Sequence, residues 1–322
     1  MKILGRGLLV GIFFVSLQVS ANEPAEFNAE ISSYSTSDDF NLKKMMFTFK
    51  SHRRDLTYPY KNAQEEAVDY GFSGVVNQGS LDEMNFRGWS VGSFWAKQYS
   101  PNWYLKLGLA FEGYQYDGLN QSEMNPLFQA IYHLPEKLTL TLDGQQKLLY
   151  SDGYLPGPVQ RGEKAAEFRP SFSYSLDSNW RVHWRQNLLW DEGGNRKWSH
   201  DASVLYAVSV WPTWFLLGVG GEYLTNSKKR DYWSPSAFRS YGLRSELNSP
   251  IVGNWFALAG VNLNRIQEES LGWGNGYYMN LGLQWGDRND QNVKLQWIEI
   301  KSSQSSSQWL AKTWQVNWVY FF

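Results

Sequence analysis

The sequence predicts an all-β chain, a transmembrane antiparallel β-barrel of about 16 strands, with 14 the other count its spacing permits. Three observations carry this. Apolar and polar residues alternate with period two through most of the chain, aromatic rings gather at the ends of the alternating segments, and tight turns occupy alternate connections. Composition agrees. Of the 322 residues 17% are aromatic, with 17 Trp, 19 Tyr and 18 Phe, yet the mean hydropathy is −0.47. Rings with one apolar side and one polar edge favour a boundary between oil and water. A bundle of membrane-spanning helices would need about 20 consecutive apolar residues per span.

The chain opens with a basic start, Met1 to Arg6, an apolar run from Gly7 to Leu17, and small residues at Val19-Ser20-Ala21. That order predicts a cleaved signal peptide over 1–21 and a barrel over 22–322. A run of about 11 apolar residues is too short for a membrane anchor. Without cysteine there is no disulfide framework and no thiolate metal site. The net charge of −1 becomes about −3 once Lys2 and Arg6 are removed, which excludes an electrostatic case for nucleic acid.

The strand segments follow in order. Trp103, Leu105, Leu107, Leu109 and Phe111 share a face opposite Lys106 and Glu112; Leu138, Leu140 and Leu142 oppose Thr139, Thr141 and Asp143. Phe168, Phe172, Tyr174 and Leu176 oppose Arg169 and three serines, and Trp180, Val182, Trp184, Leu188 and Trp190 oppose Arg181, His183 and Arg185. The pattern recurs from Trp198 to Val210, Trp255 to Leu263, Tyr277 to Trp285, Val293 to Trp297, and Trp314 to Phe322. Including the weaker early segments, strands are expected near 26–37, 41–53, 66–78, 84–98, 102–117, 124–134, 138–151 and 166–176. The second half adds 180–192, 197–211, 214–226, 236–247, 254–268, 274–286, 290–303 and 308–322. A soluble sandwich also alternates, but rings at strand ends are the mark of interfacial girdles rather than of a packed core.

The turns Ser100-Pro101, Pro135-Glu136-Lys137, Asp177-Ser178-Asn179, Pro212-Thr213 and Asp287-Arg288-Asn289 are tight and alternate with the longer Asp152 to Ala165 and Ser227 to Pro235. Short turns facing the periplasm and longer loops facing outward would produce this, with Leu56 to Glu65 as the exception. An even strand count places both termini on the periplasmic side of a Gram-negative outer membrane. The final Phe322, closing an aromatic-alternating strand, resembles the C-terminal signature through which bacterial outer-membrane proteins engage their barrel-assembly machinery.

Parity assigns the inward face. It collects Lys44, Lys50, Asp69, Lys106, Glu112 and Asp143, then Lys147, Arg169, Arg181, Arg185, Arg244, Glu246 and Lys294. Arg169, Arg181 and Arg185 lie on consecutive strands, where they form either a basic patch favouring anionic or strongly polar solutes, or lumenal ion pairs, for example to Asp143. Tyr104, Tyr114, Tyr116, Phe256 and Tyr278 also project inward; rings beside hydrogen-bonding groups suit sugars, and also fill a narrow lumen.

The stretch Asp231 to Leu243, DYWSPSAFRSYGL, resembles a Tyr-aromatic-Ser-Pro-x-x-aromatic-x-x-Tyr/Phe-Gly pattern in the C-terminal barrels of exopolysaccharide secretion porins of the cellulose and poly-N-acetylglucosamine export type. The resemblance implies a barrel of about 16 strands and passage of a saccharide; the helical repeats that precede such barrels have no counterpart here. Apart from it, Ser234-Pro235 is a loop-to-strand junction.

Three function classes compete. A channel for polysaccharide export or oligosaccharide passage needs a polar lumen and no cofactor. A lipid-modifying barrel enzyme needs a His-centred nucleophile; of His52, His133, His183 and His200 only His200 is clearly outward, with Ser199 and Ser203 on the opposite face. A structural or surface-receptor barrel would use the connections 151–167 and 226–236. The acidic pairs Asp38-Asp39 and Glu65-Glu66 lack calcium-loop spacing. The segment Asn22 to Phe40 is a candidate plug if it is not the first strand.

Overall fold

The computed structural model describes residues 25–37, 39–51, 68–81, 84–100, 102–116, 119–134, 137–149, 162–210, 212–229, 234–269, 271–286, 291–304 and 307–321. The expected signal peptide, Asp231 to Trp233 of the motif, His52 and the terminal Phe322 lie outside these residues.

Sixteen strands form one closed antiparallel barrel in which every strand pairs with its neighbours in sequence. The first eight are β1 Glu26–Thr36, β2 Asn41–Lys50, β3 Val68–Leu81, β4 Met84–Ser100, β5 Trp103–Tyr116, β6 Leu119–Leu134, β7 Leu138–Leu148 and β8 Lys164–Ser175. They continue as β9 Trp180–Asp191, β10 Arg196–Ser209, β11 Trp214–Asn226, β12 Phe238–Val252, β13 Trp255–Glu268, β14 Gly274–Gly286, β15 Gln291–Gln304 and β16 Ser307–Phe321. Closure is made by β1 against β16, which sets Ile31 beside Val316 while Met45 of β2 flanks Ile31 on its other side. Closing the ring satisfies the backbone of both terminal strands, so no edge is left to recruit another chain.

The face chemistry identifies the surroundings. Outward positions carry exposed apolar side chains all round the ring, among them Ile31, Val91, Leu109, Met124, Val208 and Leu263, each more than half exposed. A water-facing sheet would not display them in this density; a wall in contact with lipid does. Trp103, Trp180, Trp255 and Trp285 project outward near the rim that holds the first residue of β1 and the last of β16, called here the terminal rim. Trp190, Trp198, Tyr241 and Trp273 project outward near the opposite rim. Two aromatic girdles bound an apolar band, as the ends of the alternating segments predict. No helix among the described residues is long and apolar enough to cross a membrane.

Two strands, β6 and β12, run furthest past their sequence-predicted bounds. β6 begins at Leu119 rather than near 124, because Gln121 and Glu123, polar enough to read as loop, face the barrel interior, and Leu119 pairs with Tyr116 in a tight hairpin. β12 runs on to Val252, past Pro250, where the pairing with β13 shifts register; a bulge is one of the few strand positions at which a missing N–H is tolerated. Glu26 to Thr36, considered above as part of a plug, is the first strand. β7 ends and β8 begins at the opposite rim, as β11 ends and β12 begins there, whereas β2 ends and β3 begins at the terminal rim; the Leu56 to Glu65 exception lies outside the described residues.

The barrel interior has several small apolar clusters in place of one core. Phe40, Phe86, Tyr114 and Leu148 pack together inside the opposite rim, with Tyr34, Leu42 and Tyr116 around them. Phe40 and Phe86 stack nearly parallel, 6.4 Å apart. The Phe86 ring lies where a side chain at Gly79 would project, 2.1 Å from an ideal Cβ, so this close approach requires glycine. A second cluster at the terminal rim joins Leu205, Ala207 and Leu216, with Trp214 against it.

Candidate lumenal site

All eleven candidate solute-path residues, Tyr104, Lys106, Glu112, Tyr114, Asp143, Lys147, Arg169, Arg181, Arg185, Arg244 and Tyr278, fall at strand positions of inward parity. They are divided among separate polar networks. On the β7–β9 wall Glu167 is the hub: its carboxylate accepts from Lys147 Nζ at 2.7 Å, Gln145 Nε2 at 2.8 Å and Asn187 Nδ2 at 2.8 Å. Lys147 and Glu167 are both buried, with side chains 7% and 4% exposed. An ion pair withdrawn this far from water persists only where further hydrogen bonds satisfy its remaining atoms, and the two amides supply them.

Arg169 keeps a looser contact with the same carboxylate, 3.7 Å away, and its side chain is 40% exposed to the lumen. Asp143 stands opposite Arg169 in register, but its carboxylate accepts from Gln129 at 2.6 Å. The ion pair considered for Arg169 is therefore with Glu167. On β5, Glu112 accepts from Asn125 at 2.7 Å and from the Leu148 backbone N–H at 3.0 Å, which ties the end of β7 to the wall. Lys106 places its ammonium 4.0 Å above the Phe94 ring. Tyr114 belongs to the apolar cluster inside the opposite rim, away from the arginines. Lys50, another inward cation, pairs with Glu26 at 2.8 Å.

A third network covers β9–β12. Arg181 stacks its guanidinium 4.1 Å above the Trp214 ring. Arg185 faces Asp201 across the β9–β10 ladder, and Asp201 faces Glu222 across β10–β11. Arg244 reaches Asp201 from two strands away, with Nη1 at 3.2 Å and Nη2 at 2.5 Å from its two oxygens. Gly220 makes this possible, since an ideal Cβ there would sit 2.4 Å from Arg244 Nε. The three arginines thus share the interior with Glu167, Asp201 and Glu222, none of which stands among the sequence-predicted path residues. The missed signal is parity itself: Glu167 is two residues from Arg169 on one strand and so shares its face.

At the opposite rim Asn195 is fully buried. Its amide donates to Asn226 at 2.9 Å, and Asn226 in turn donates to the Pro235 carbonyl at 2.9 Å. The Ser234-Pro235 junction is thereby held inward at the mouth. Gly242 of the same motif packs so closely on β13 that a Cβ would lie 1.9 Å from the Leu263 carbonyl oxygen. Of the histidines, His200 is flanked outside by the rings of Trp184 and Trp198, His133 contacts Thr139 Oγ1 at 2.9 Å, and His183 faces inward between Arg181 and Arg185. No group of three His, Asp or Glu residues that could hold a metal ion occurs among the described residues.

No protein-family model matches the chain, and no curated protein does. Solved structures do match its fold. A bacterial polysaccharide outer membrane secretin superposes with a TM-score of 0.74 at 9% identity, covering 94% of this chain and 99% of the other. CdiB from Acinetobacter baumannii superposes with a TM-score of 0.53 at 10% identity, covering 93% of this chain and 61% of the other. At these identities the likeness is one of fold: the chain has the architecture of outer-membrane barrels, and the polysaccharide secretin is matched over nearly its whole length.

Proposed function

We propose that this chain is an outer-membrane channel that passes a polar or anionic saccharide and performs no chemistry on it. The observation that carries the reading is the composition of the inner wall on β8–β12. Arg169 and Arg185 stand beside hydrogen-bonding acids, and Arg181 lies on Trp214. Charged forks that grip hydroxyl and carboxylate oxygens, set next to ring faces that meet sugar C–H surfaces, are the groups a saccharide path needs. The near-complete match in length to a polysaccharide outer membrane secretin supports the same choice of cargo. In this reading the terminal rim faces the periplasm and the opposite rim the exterior.

Conductance tests it. Purified protein in planar bilayers is expected to give discrete current steps, shortened by an anionic uronate oligomer more than by a neutral glucose oligomer. A protein that gives no steps, even with the connections 149–163 and 227–237 shortened, would sink the channel.

A second reading has its own observation. The Phe40, Phe86, Tyr114 and Leu148 cluster occupies the interior at the opposite rim, which favours a closed barrel acting as a surface receptor or structural element. The same recordings separate the two.

A further inference from the structure

The outer wall is chemically asymmetric on one side. Along β12–β16 the cations at outward positions are Arg239, Arg265, Lys301 and Lys312, and all four lie in the half nearer the opposite rim. In register Tyr241 faces Arg265, Tyr277 faces Lys301, and Lys312 faces Glu299, the single outward acid of these strands among the described residues. Glu299 is engaged by Lys312 at 3.7 Å and by the Tyr277 hydroxyl. Arg265 donates to Asn275 at 3.0 Å in an exposed position, and Lys301 has no acid opposite it in register.

Below these cations the wall is hollow. A groove of about 960 Å³ runs across β11–β15, bordered by Val219, Tyr241, Leu243, Leu263, Arg265 and Lys301. Gly221 creates the depression, because it faces outward beside Ala202 and Tyr241, and neither it nor Ala202 fills the wall between the larger neighbours. Trp273 packs edge-on against Tyr241, which borders the groove, with ring centres 5.3 Å apart. The result is an apolar trough on a lipid-facing surface, bordered at the depth of the aromatic girdle by cations that outnumber the one outward acid, Glu299.

We propose that this surface is a binding site for a phosphorylated, multiply acylated glycolipid of the outer leaflet, with phosphate held by Arg265 and Lys301 and an acyl chain laid in the groove under Tyr241. Charge complementarity selects the occupant: a guanidinium and an ammonium at headgroup depth match phosphate, and apolar surface beneath them matches chain. With the terminal rim toward the periplasm, as proposed above, the one-sided placement of the cations puts them in the outer leaflet. The inference rests on the outer-membrane part of the function proposed above, but not on an open lumen.

Native mass spectrometry of the full chain, refolded in a neutral detergent and titrated with hexa-acylated bisphosphorylated lipid A, tests it. A saturable 1:1 adduct is expected. Arg265→Gln or Lys301→Gln should each weaken it about 5-fold and the double variant about 30-fold, taking about 1 kcal/mol for each basic residue at an anionic surface. Arg87→Gln, outward near the same rim but on β4, should leave it unchanged. Heat-modifiable gel migration checks that every variant is folded, and the conservative Arg265→Lys and Lys301→Arg should keep most of the affinity. Equal retention of dephosphorylated lipid A or of phosphatidylglycerol, competition by millimolar inorganic phosphate alone, or indifference to the double substitution would each overturn the proposal. Bilayer conductance is unaffected by these outcomes, so failure of the lipid site and failure of the channel are distinguishable.

Discussion

Arg244 spans the width of β11, over the bare backbone of Gly220, to form a two-point ion pair with Asp201 on β10. The pair fastens three strands of the wall from the inside and removes one cation from the set available to a solute. Lysine in place of Arg244 would have no planar fork for both carboxylate oxygens.

The first prediction concerns this bridge. Gly220→Val places carbon in the path of the guanidinium and against the Ala202 carbonyl, 2.8 Å from an ideal Cβ. A loss of roughly 1–3 kcal/mol is expected from the overpacking. In a double-mutant cycle with Asp201→Asn the losses should be less than additive, since either change breaks the same pair. Additive urea midpoints in detergent would count against the bridge.

Glu167 is the second. Truncating it to alanine strands Lys147 in a buried site and is expected to cost roughly 3–5 kcal/mol, whereas Lys147→Met with Glu167→Leu, which removes both charges, should recover most of that loss. Equilibrium unfolding of the three proteins checks the order.

Ion selectivity is the third. Arg169, Arg181 and Arg185 replaced by glutamine should move the zero-current potential in a salt gradient toward cation preference, because Glu167, Asp201, Glu222 and Glu246 then dominate the wall. An unchanged potential would mean that the pore bypasses this side of the barrel.

The interior cluster gives the fourth. Phe40→Ala with Phe86→Ala removes two stacked rings from the mouth, and single-channel conductance should rise relative to the native protein. If conductance is unchanged, the cluster lies off the path.

Membrane depth is the last. Arginine at Leu109, outward and near the middle of β5, should cost roughly 2–4 kcal/mol, and arginine at Tyr241, in the girdle, about 0–1 kcal/mol. Equal costs would contradict the position of the apolar band between the two girdles.

Inward or outward parity and the antiparallel succession of strands are local properties, and the sequence by itself determined them; the closed ring settled sixteen strands over the fourteen the spacing also permitted. Alternation assigned Trp103 to Phe111 and Trp180 to Trp190 to one face each, and the eleven candidate residues followed onto the inner wall, because a pleated strand has only two faces. Boundaries were harder to read where inward polar residues such as Gln121 and Glu123 look like loop, and where a bulge admits Pro250. Only the tertiary structure decided which inward groups meet. Arg169 stands opposite Asp143 and yet contacts Glu167, Arg244 skips a strand to find Asp201, and Phe40 meets Phe86 and Tyr114 from three separate segments. Such contacts depend on how far each strand is staggered around the closed ring and on where a glycine leaves room. Hydropathy along the chain records neither, because it reports which face a residue takes and nothing about what lies beside it across the wall.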